Sequence, residues 1–527
     1  MGINISHKTP HKATKYPKFS EKDSLRGALS ELRNNFDVRH YDLSVDFDLK
    51  QKSIKGKVVV RFDAQQDIDK IQLDLHKNMS IQRITQNDHE LTYERKYTAV
   101  FISLEEMLRA GESTSLTIEY SGKPMKAKKP PWEGGFVWKT NSGKPWVSVA
   151  CEQLGANIWW PVKDHLSDEP DSMDLHYTIP EGLFCAANGS LVSQETKDGR
   201  TTFNWKIHNP INSYNVTFYI GDFVRIDQAY DGIDGVHDLT YYVMPKNKER
   251  AEEHFKQTHD ILRFYEKIYG VYPWWNDGFK FIESPFAGME HQSAIAYGNG
   301  YKKNNLFGVD YIILHEAAHE WWGNAITVSD FADVWLQEGF ATYSEALFME
   351  NWKGKGYSDH YLSFYALFIK NKAPMVGPKE VNYWDYKDGD PYMKGANTLH
   401  SLRTTLDNDS LFFSILRTFY EKYCRKTVTS TDFIDHVHQL TGQDLNWFFN
   451  QYLYSRNSPK FTYYISRDGE DKTPVLHYKW TDVVDGFKMP VYIFNGFEWI
   501  RITPGTEAQT YALSGKKAAF QIDKSLV

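Results

Sequence analysis

The hydrophobic period of this sequence changes twice, and one sheet or one helical bundle cannot satisfy both periods. From Val38 onward Tyr41, Leu43, Val45, Phe47 and Leu49 alternate with Asp42, Ser44, Asp46 and Asp48, the period of two of a strand with one buried face. Further strands are predicted over 57–62, 115–120, 202–207 and 215–224, punctuated by Gly, Asn, Asp and Pro. After about residue 245 the period lengthens. Phe255, Ile261, Leu262, Tyr265 and Ile268 share one stripe of a helix over 251–269, and helices follow over 304–325, 333–352, 397–406, 410–423, 431–440 (Ser430 as N-cap) and 444–454. Strands return over 461–465, 475–480, 489–494, 498–503 and 518–522, enough for a small β-sandwich. With 527 residues the chain exceeds a single core. The expectation is a multidomain α+β protein. It has a flexible tail (1–30), an N-terminal β-rich domain (31–228), a mostly α domain (229–455) and a C-terminal β-sandwich (456–527).

Composition narrows the partners. A net charge of −7 argues against nucleic acid, and the basic stretch 123–129 is short enough to be a solvated loop. Three scattered cysteines, Cys151, Cys185 and Cys424, form no CxxC, so neither a disulfide framework nor a thiolate metal site is indicated. No apolar run reaches the roughly 18–20 residues of a membrane span, and the N-terminal segment is polar and basic rather than signal-like. Two accounts fit: the chain stays in the cytoplasm, or it is exported and a Met1-Gly2 start replaces a removed leader. Nothing in the sequence demands more than a monomer.

The chemistry is concentrated in Leu314-His315-Glu316-Ala317-Ala318-His319. Residues four apart lie one helical turn apart on nearly the same face, so His315 and His319 can bind one zinc. Glu316 is offset by about 100° and can reach a water there. Zinc lowers the pKa of a bound water to about 7, and a carboxylate beside it can act as general base. A catalytic zinc needs a third protein ligand and an open position. Glu338, 19 residues after His319 in Trp335-Leu336-Gln337-Glu338-Gly339-Phe340-Ala341, would supply it from a second, antiparallel helix. Glu345, seven residues further on the same face, is either an acceptor for a spare imidazole N–H or a solvated surface carboxylate.

His315-Glu316-x-x-His319 followed by Glu338 in its Trp-Leu-x-Glu-Gly-Phe-Ala setting, with Trp321, Gly323 and Asn324 nearby, resembles the gluzincin aminopeptidases of the M1 family, which include aminopeptidase N and leukotriene A4 hydrolase. The resemblance spans most of 35–455. It implies a thermolysin-like fold for 229–455, one zinc per chain, and peptides with a free N-terminus as substrates. Ala287-Gly288-Met289-Glu290-His291 is similar to the family's Gly-x-Met-Glu-Asn segment, with Ala287 for the first Gly and His291 for the Asn. It implies Glu290 as the carboxylate that holds the substrate ammonium, with Ala287, Gly288 and Met289 as substrate-binding neighbours. A second ammonium contact falls on Glu152, or on the adjacent Gln153. Pro391-Tyr392-Met393-Lys394-Gly395 resembles Pro-Tyr-Glu-Lys-Gly, with Met393 in place of Glu, and implies Tyr392 as the donor that stabilises the tetrahedral intermediate. A further large helical domain of many family members is not expected here.

The implied function is removal of N-terminal residues from peptides, with Glu316 as general base. An epoxide or other hydrolase on the same scaffold is the alternative. A binding protein without catalysis would be expected to lack Glu316, a ligand or Tyr392, and all are present.

Overall fold

The computed structural model describes residues 14, 16–304, 307–468, 473–513 and 520–523. Three sheets build the N-terminal part: a three-stranded one (Ile68–Asp74, Ala99–Leu108 and Tyr93–Lys96) and two larger ones packed on each other. In the larger, Phe36–Asp48 lies between Ser53–Ala64 (antiparallel) and Ser172–Pro180 (parallel) within eight strands. In the smaller, Lys144–Ala150 lies between Gly135–Asn141 and Phe218–Gly221, with Phe184–Ala187 outermost. The alternation read from the sequence buries Tyr41, Leu43, Val45 and Phe47. Phe47 then meets Phe218 of the other sheet at 4.5 Å between ring centroids, and Phe218 meets Phe136 at 5.1 Å. This aromatic layer makes the core continuous across both sheets.

A five-stranded sheet opens the next part: Val224–Gly232, Gly235–Val243, Phe279–Glu283, Ile295–Tyr297 and, at its edge, Gly288–Met289. The expected boundary at 228/229 therefore cuts a strand, because Val224–Gly232 pairs with Gly235–Val243 along its whole length. The strand expected over 215–224 is divided between a 3-10 turn (Ser213–Asn215) and the separate strand Phe218–Gly221.

Helices pack on this sheet. The longest, Trp335–Lys353, is buried continuously from Trp335 to Met349, as a helix at the centre of a domain must be. The helix expected over 251–269 is broken into Lys248–His254 and Gln257–Tyr269. The one expected over 304–325 is only Tyr311–Ala318, and Lys355–Ala366 was not anticipated. Thr429, not Ser430, caps Ser430–Thr441, in a reciprocal capping box with Asp432. Two three-stranded sheets complete the chain. The strand expected over 518–522 lies partly outside the described residues, and Gln521–Ile522 pairs with Val491–Phe494.

The expected N-terminal tail is structured where it is described. Ser20 and Asp23 form a capping box for Glu21–Gly27. Arg26 then donates to the Gln153 carbonyl. Gly27 lies so close to the chain at Val381-Asn382 that a Cβ would come within 2.4 Å of the Asn382 nitrogen. Arg33 pairs with Asp74 at 2.5 Å, both fully buried. Polar composition concealed a segment that ties the two parts of the molecule together.

Candidate metal centre and active-site cleft

Asp310 caps the Tyr311–Ala318 helix by accepting from the Ile312 N–H at 3.0 Å, and its other oxygen holds Tyr297 and His254. The helix stops at His319, and the chain reverses at Gly323 (φ +125°), a left-handed position where a Cβ would also crowd His319 Nδ1 at 3.1 Å. After a short strand, Ile326–Val328, Asp330 caps a 3-10 turn that feeds Trp335–Lys353. Glu338 is thereby returned to the two histidines.

Nε2 of His315 and Nε2 of His319 lie 3.1 Å apart, and Glu338 Oε2 lies 3.3 Å from each. Four ligands about 2.0–2.1 Å from a tetrahedral zinc stand about 3.3 Å from one another, so this triangle has the size of one face of such a site. The tautomers agree. His315 Nδ1 donates to Glu345 Oε1 at 2.8 Å, and His319 Nδ1 donates to the Trp322 carbonyl at 2.8 Å. With both Nδ1 atoms protonated, the neutral rings turn two Nε2 lone pairs toward the same point. Glu338 Oε2 is buried there and takes no hydrogen bond. Two lone pairs and an unpartnered carboxylate oxygen facing one another are unstable unless a cation lies among them. The donor set therefore fits a divalent metal ion. Glu345 is buried, and its second oxygen accepts from the Tyr361 hydroxyl.

These residues line a cleft of about 340 Å³, together with Glu152, Ala287, Gly288, Met289, Glu290, Glu316, Tyr392 and Met393. Glu316 is 6 % exposed and lies against Gly288, where a Cβ would fall 2.2 Å from Oε1. Glu290 accepts from the Tyr214 hydroxyl at 3.0 Å, which in turn accepts from Gln337 Nε2 at 3.0 Å. Glu152 follows the strand Lys144–Ala150 into the cleft. Gln153 does not: its side chain donates to the Trp384 carbonyl. Burial, opposed by the two histidines but reinforced by Glu290 and Glu338, pushes Glu316 up to about 8. Burial, then repulsion from Glu290 and Glu338, holds Glu152 well above the usual carboxylate range. A cleft that disfavours its own negative charges in this way favours cationic occupants.

Tyr392 lies inside a helix. The helix expected to begin at 397 begins at Asp390, with Pro391 in its first turn, where proline has no N–H to lose. Tyr392 is thus held by helix and stacks on His315, ring centroids 5.8 Å apart at 25°. Burial keeps its phenol protonated throughout the neutral range. The helix is brought in by a glycine contact. A Cβ on Gly395 would lie 2.7 Å from the Gly339 Cα, beside Glu338.

His291 is turned away from the cleft. It is wholly buried, and its Nδ1 lies 2.6 Å from the hydroxyl of Tyr219, which donates to the Ala294 carbonyl. Sequence reasoning missed Tyr214, Gln337 and Tyr361. Tyr214 stands 76 positions from Glu290, and Gln337 stands 123 from Tyr214, so no local pattern marks them.

Fold and site together define a metallopeptidase-type centre of the gluzincin arrangement, two imidazoles from one helix and a carboxylate from the next. Residues 38–215 match the peptidase M1 N-terminal domain and 253–452 the peptidase family M1 domain, well over half of the chain between them, and the chain belongs to peptidase family M1. It is 24 % identical over 426 residues to leucine aminopeptidase 2 of Vanderwaltozyma polyspora, covering 76 % of this chain and 62 % of the relative. It is 21 % identical over 429 residues to leukotriene A-4 hydrolase of Xenopus laevis, covering 75 % and 67 %. The chain thus spans about two thirds of the length of these relatives, and 52 % of leucyl aminopeptidase of Saccharolobus solfataricus. The fold is similar to that of an M1 zinc metallopeptidase from Deinococcus radiodurans, with TM-score 0.68, 21 % identity, and 81 % of this chain and 95 % of that one covered.

Proposed function

We propose that this chain is a zinc-dependent aminopeptidase. The observation that carries the reading is one cleft holding both a three-ligand metal triangle and, beside it, two further carboxylates, Glu290 and Glu152, that form no ion pair with a Lys or Arg among the described residues. His315, His319 and Glu338 would hold the ion. Zinc would supply Lewis-acid polarisation of the scissile carbonyl and bring the pKa of a water to about 7.

The remaining steps belong to the chain. Glu290, fixed by Tyr214, and Glu152 bind the substrate α-ammonium by charge-assisted hydrogen bonds and so count from the amino end. Gly288–Met289 is the edge strand of its sheet, the position to which an extended peptide adds as a further strand. Glu316 takes the proton of the attacking water and returns it to the leaving amine. Tyr392 donates to the developing oxyanion. Two of the relatives are aminopeptidases by name, which supports the same assignment.

Turnover of an aminoacyl arylamide is compared with its N-acetylated form. The free amine is expected to be cleaved at least 100-fold faster, the scale of losing a buried charge-assisted pair. Equal rates would overturn the ammonium assignment, and a chelator without effect would overturn the metal.

A further inference from the structure

A second cavity, of about 380 Å³, is as large as the active-site cleft and lies on another side of the Tyr392 helix. Lys394, Asn397 and Ser401 line it at positions i, i+3 and i+7 of Asp390–Leu406, a single helical face. The opposite wall is aromatic: Tyr452 from the end of the helical part and Trp480 from the C-terminal sheets. Trp480 spends its indole N–H on the Met489 carbonyl, which leaves the ring as an apolar wall.

Two polar groups here lack adequate partners. Lys394 is 6 % exposed and its ammonium donates to the Ser455 carbonyl at 3.1 Å, with no ion pair among the described residues. The nearest acid on its own helix, Asp390, is already engaged by the backbone N–H groups of Lys370 and Asn371, each at 2.7 Å. Burial, opposed only in part by Asp390 and Asp388, pushes the lysine down to about 8, so holding its charge there is costly. Asn371 donates to Ser458 through Nδ2, while its Oδ1 is buried and accepts nothing. A buried cation and a buried empty acceptor on the wall of a cavity this size call for a ligand with an anion, a donor and an apolar body.

We propose that this cavity is a second binding site, which takes a small N-acylated amino acid: the carboxylate on Lys394, the amide N–H on Asn371 Oδ1, and the side chain against Tyr452 and Trp480. The assignment is independent of the cleft, because an acylated amine offers no ammonium to Glu290 and Glu152.

The probe is N-acetyl-L-phenylalanine, titrated calorimetrically into the full zinc-loaded chain, with N-acetyl-L-phenylalanine amide in parallel. Saturable one-to-one binding of the acid is expected, with the neutral amide weaker by at least tenfold, the scale of one charged hydrogen bond. Lys394→Met is expected to lose the acid by a similar factor, and Glu290→Gln to bind it like the parent chain. No saturable binding of the acid, or equal affinity for acid and amide, would overturn the proposal. So would a folded Lys394→Met chain that binds as the parent does, which would put the ligand in the cleft. Should Lys394→Met not fold, Asn371→Leu is titrated in its place, and parental affinity for the acid there overturns the proposal.

Discussion

Gly395→Ala tests the contact that joins the oxyanion donor to the metal centre. The new Cβ would stand 2.7 Å from the Gly339 Cα and 3.5 Å from its nitrogen. Carbon atoms in contact prefer about 3.5–4.0 Å, so the two helices must part by about 1 Å. The clashing atom is backbone, and no side chain can rotate away. Overpacking of this kind costs about 1–3 kcal/mol. In a helical unit of this size that lowers Tm by about 2–12 °C, at 2–4 °C per kcal/mol. The functional cost is separate. Tyr392 lies one turn before Gly395 and Glu338 lies next to Gly339, so the same shift moves the phenol relative to the metal ligands. A displacement of about 1 Å costs on the order of 100-fold in rate, or about 2.7 kcal/mol of transition-state stabilisation. Steady-state kinetics on an aminoacyl arylamide, calorimetric Tm and zinc content by mass spectrometry read the three quantities. The expected pattern is a lower Tm, full zinc, kcat down about 100-fold and KM little changed. Gly356→Ala is the control of opposite sign. Nothing lies within 4 Å of its Cβ, and alanine in a helix is favoured over glycine by about 1 kcal/mol. Gly395→Ala with parental Tm and kcat would refute the reasoning that this approach positions Tyr392.

Three further outcomes are expected. Tyr392→Phe keeps the ring stacked on His315 but removes the donor; kcat should fall by about 10²–10³ with zinc retained, and parental kcat would remove Tyr392 from the reaction. Glu345→Gln takes the negative charge from the partner of His315 Nδ1, and zinc affinity in a competitive chelator titration should drop by about 10–100-fold; unchanged affinity would make Glu345 a packing residue only. His291 has its pKa pushed down to about 3 by burial, against 6.5 when free. Because the unfolded chain takes up the proton first, stability is intact above pH 6.5 and is lost as pH falls toward 3, by about 1.4 kcal/mol per unit. Tm measured from pH 7 to 4 should therefore fall less steeply in His291→Asn, and identical slopes would contradict this.

What the sequence disclosed and what it withheld divide along a physical line. His315, Glu316 and His319 were legible because an α-helix converts a spacing of four into a shared face without help from the rest of the chain. Glu338 was legible because a carboxylate set among Trp335, Leu336 and Phe340 needs a cation wherever it is buried. The capping box at Ser20–Asp23 is equally local, and the helix after it could have been found, had the polar composition of the segment not dominated the reading.

The hidden features are those in which the signal is too short or the partner too distant. The strand Gly288–Met289 has two residues and Ile295–Tyr297 has three, too few to show alternation, yet the first lines the cleft and the second pairs with it. Whether Glu152 or Gln153 enters the cleft depends on which side chain the Trp384 carbonyl captures, 231 positions away from Gln153. The glycines show the same limit most plainly. Gly339 and Gly395 sit inside helices, where glycine is locally unfavourable. Each is explained only by the other, through a backbone approach that neither segment encodes alone. Residues that chemistry needs are thus readable one helix at a time, whereas residues that aim them become readable only once two helices are in contact.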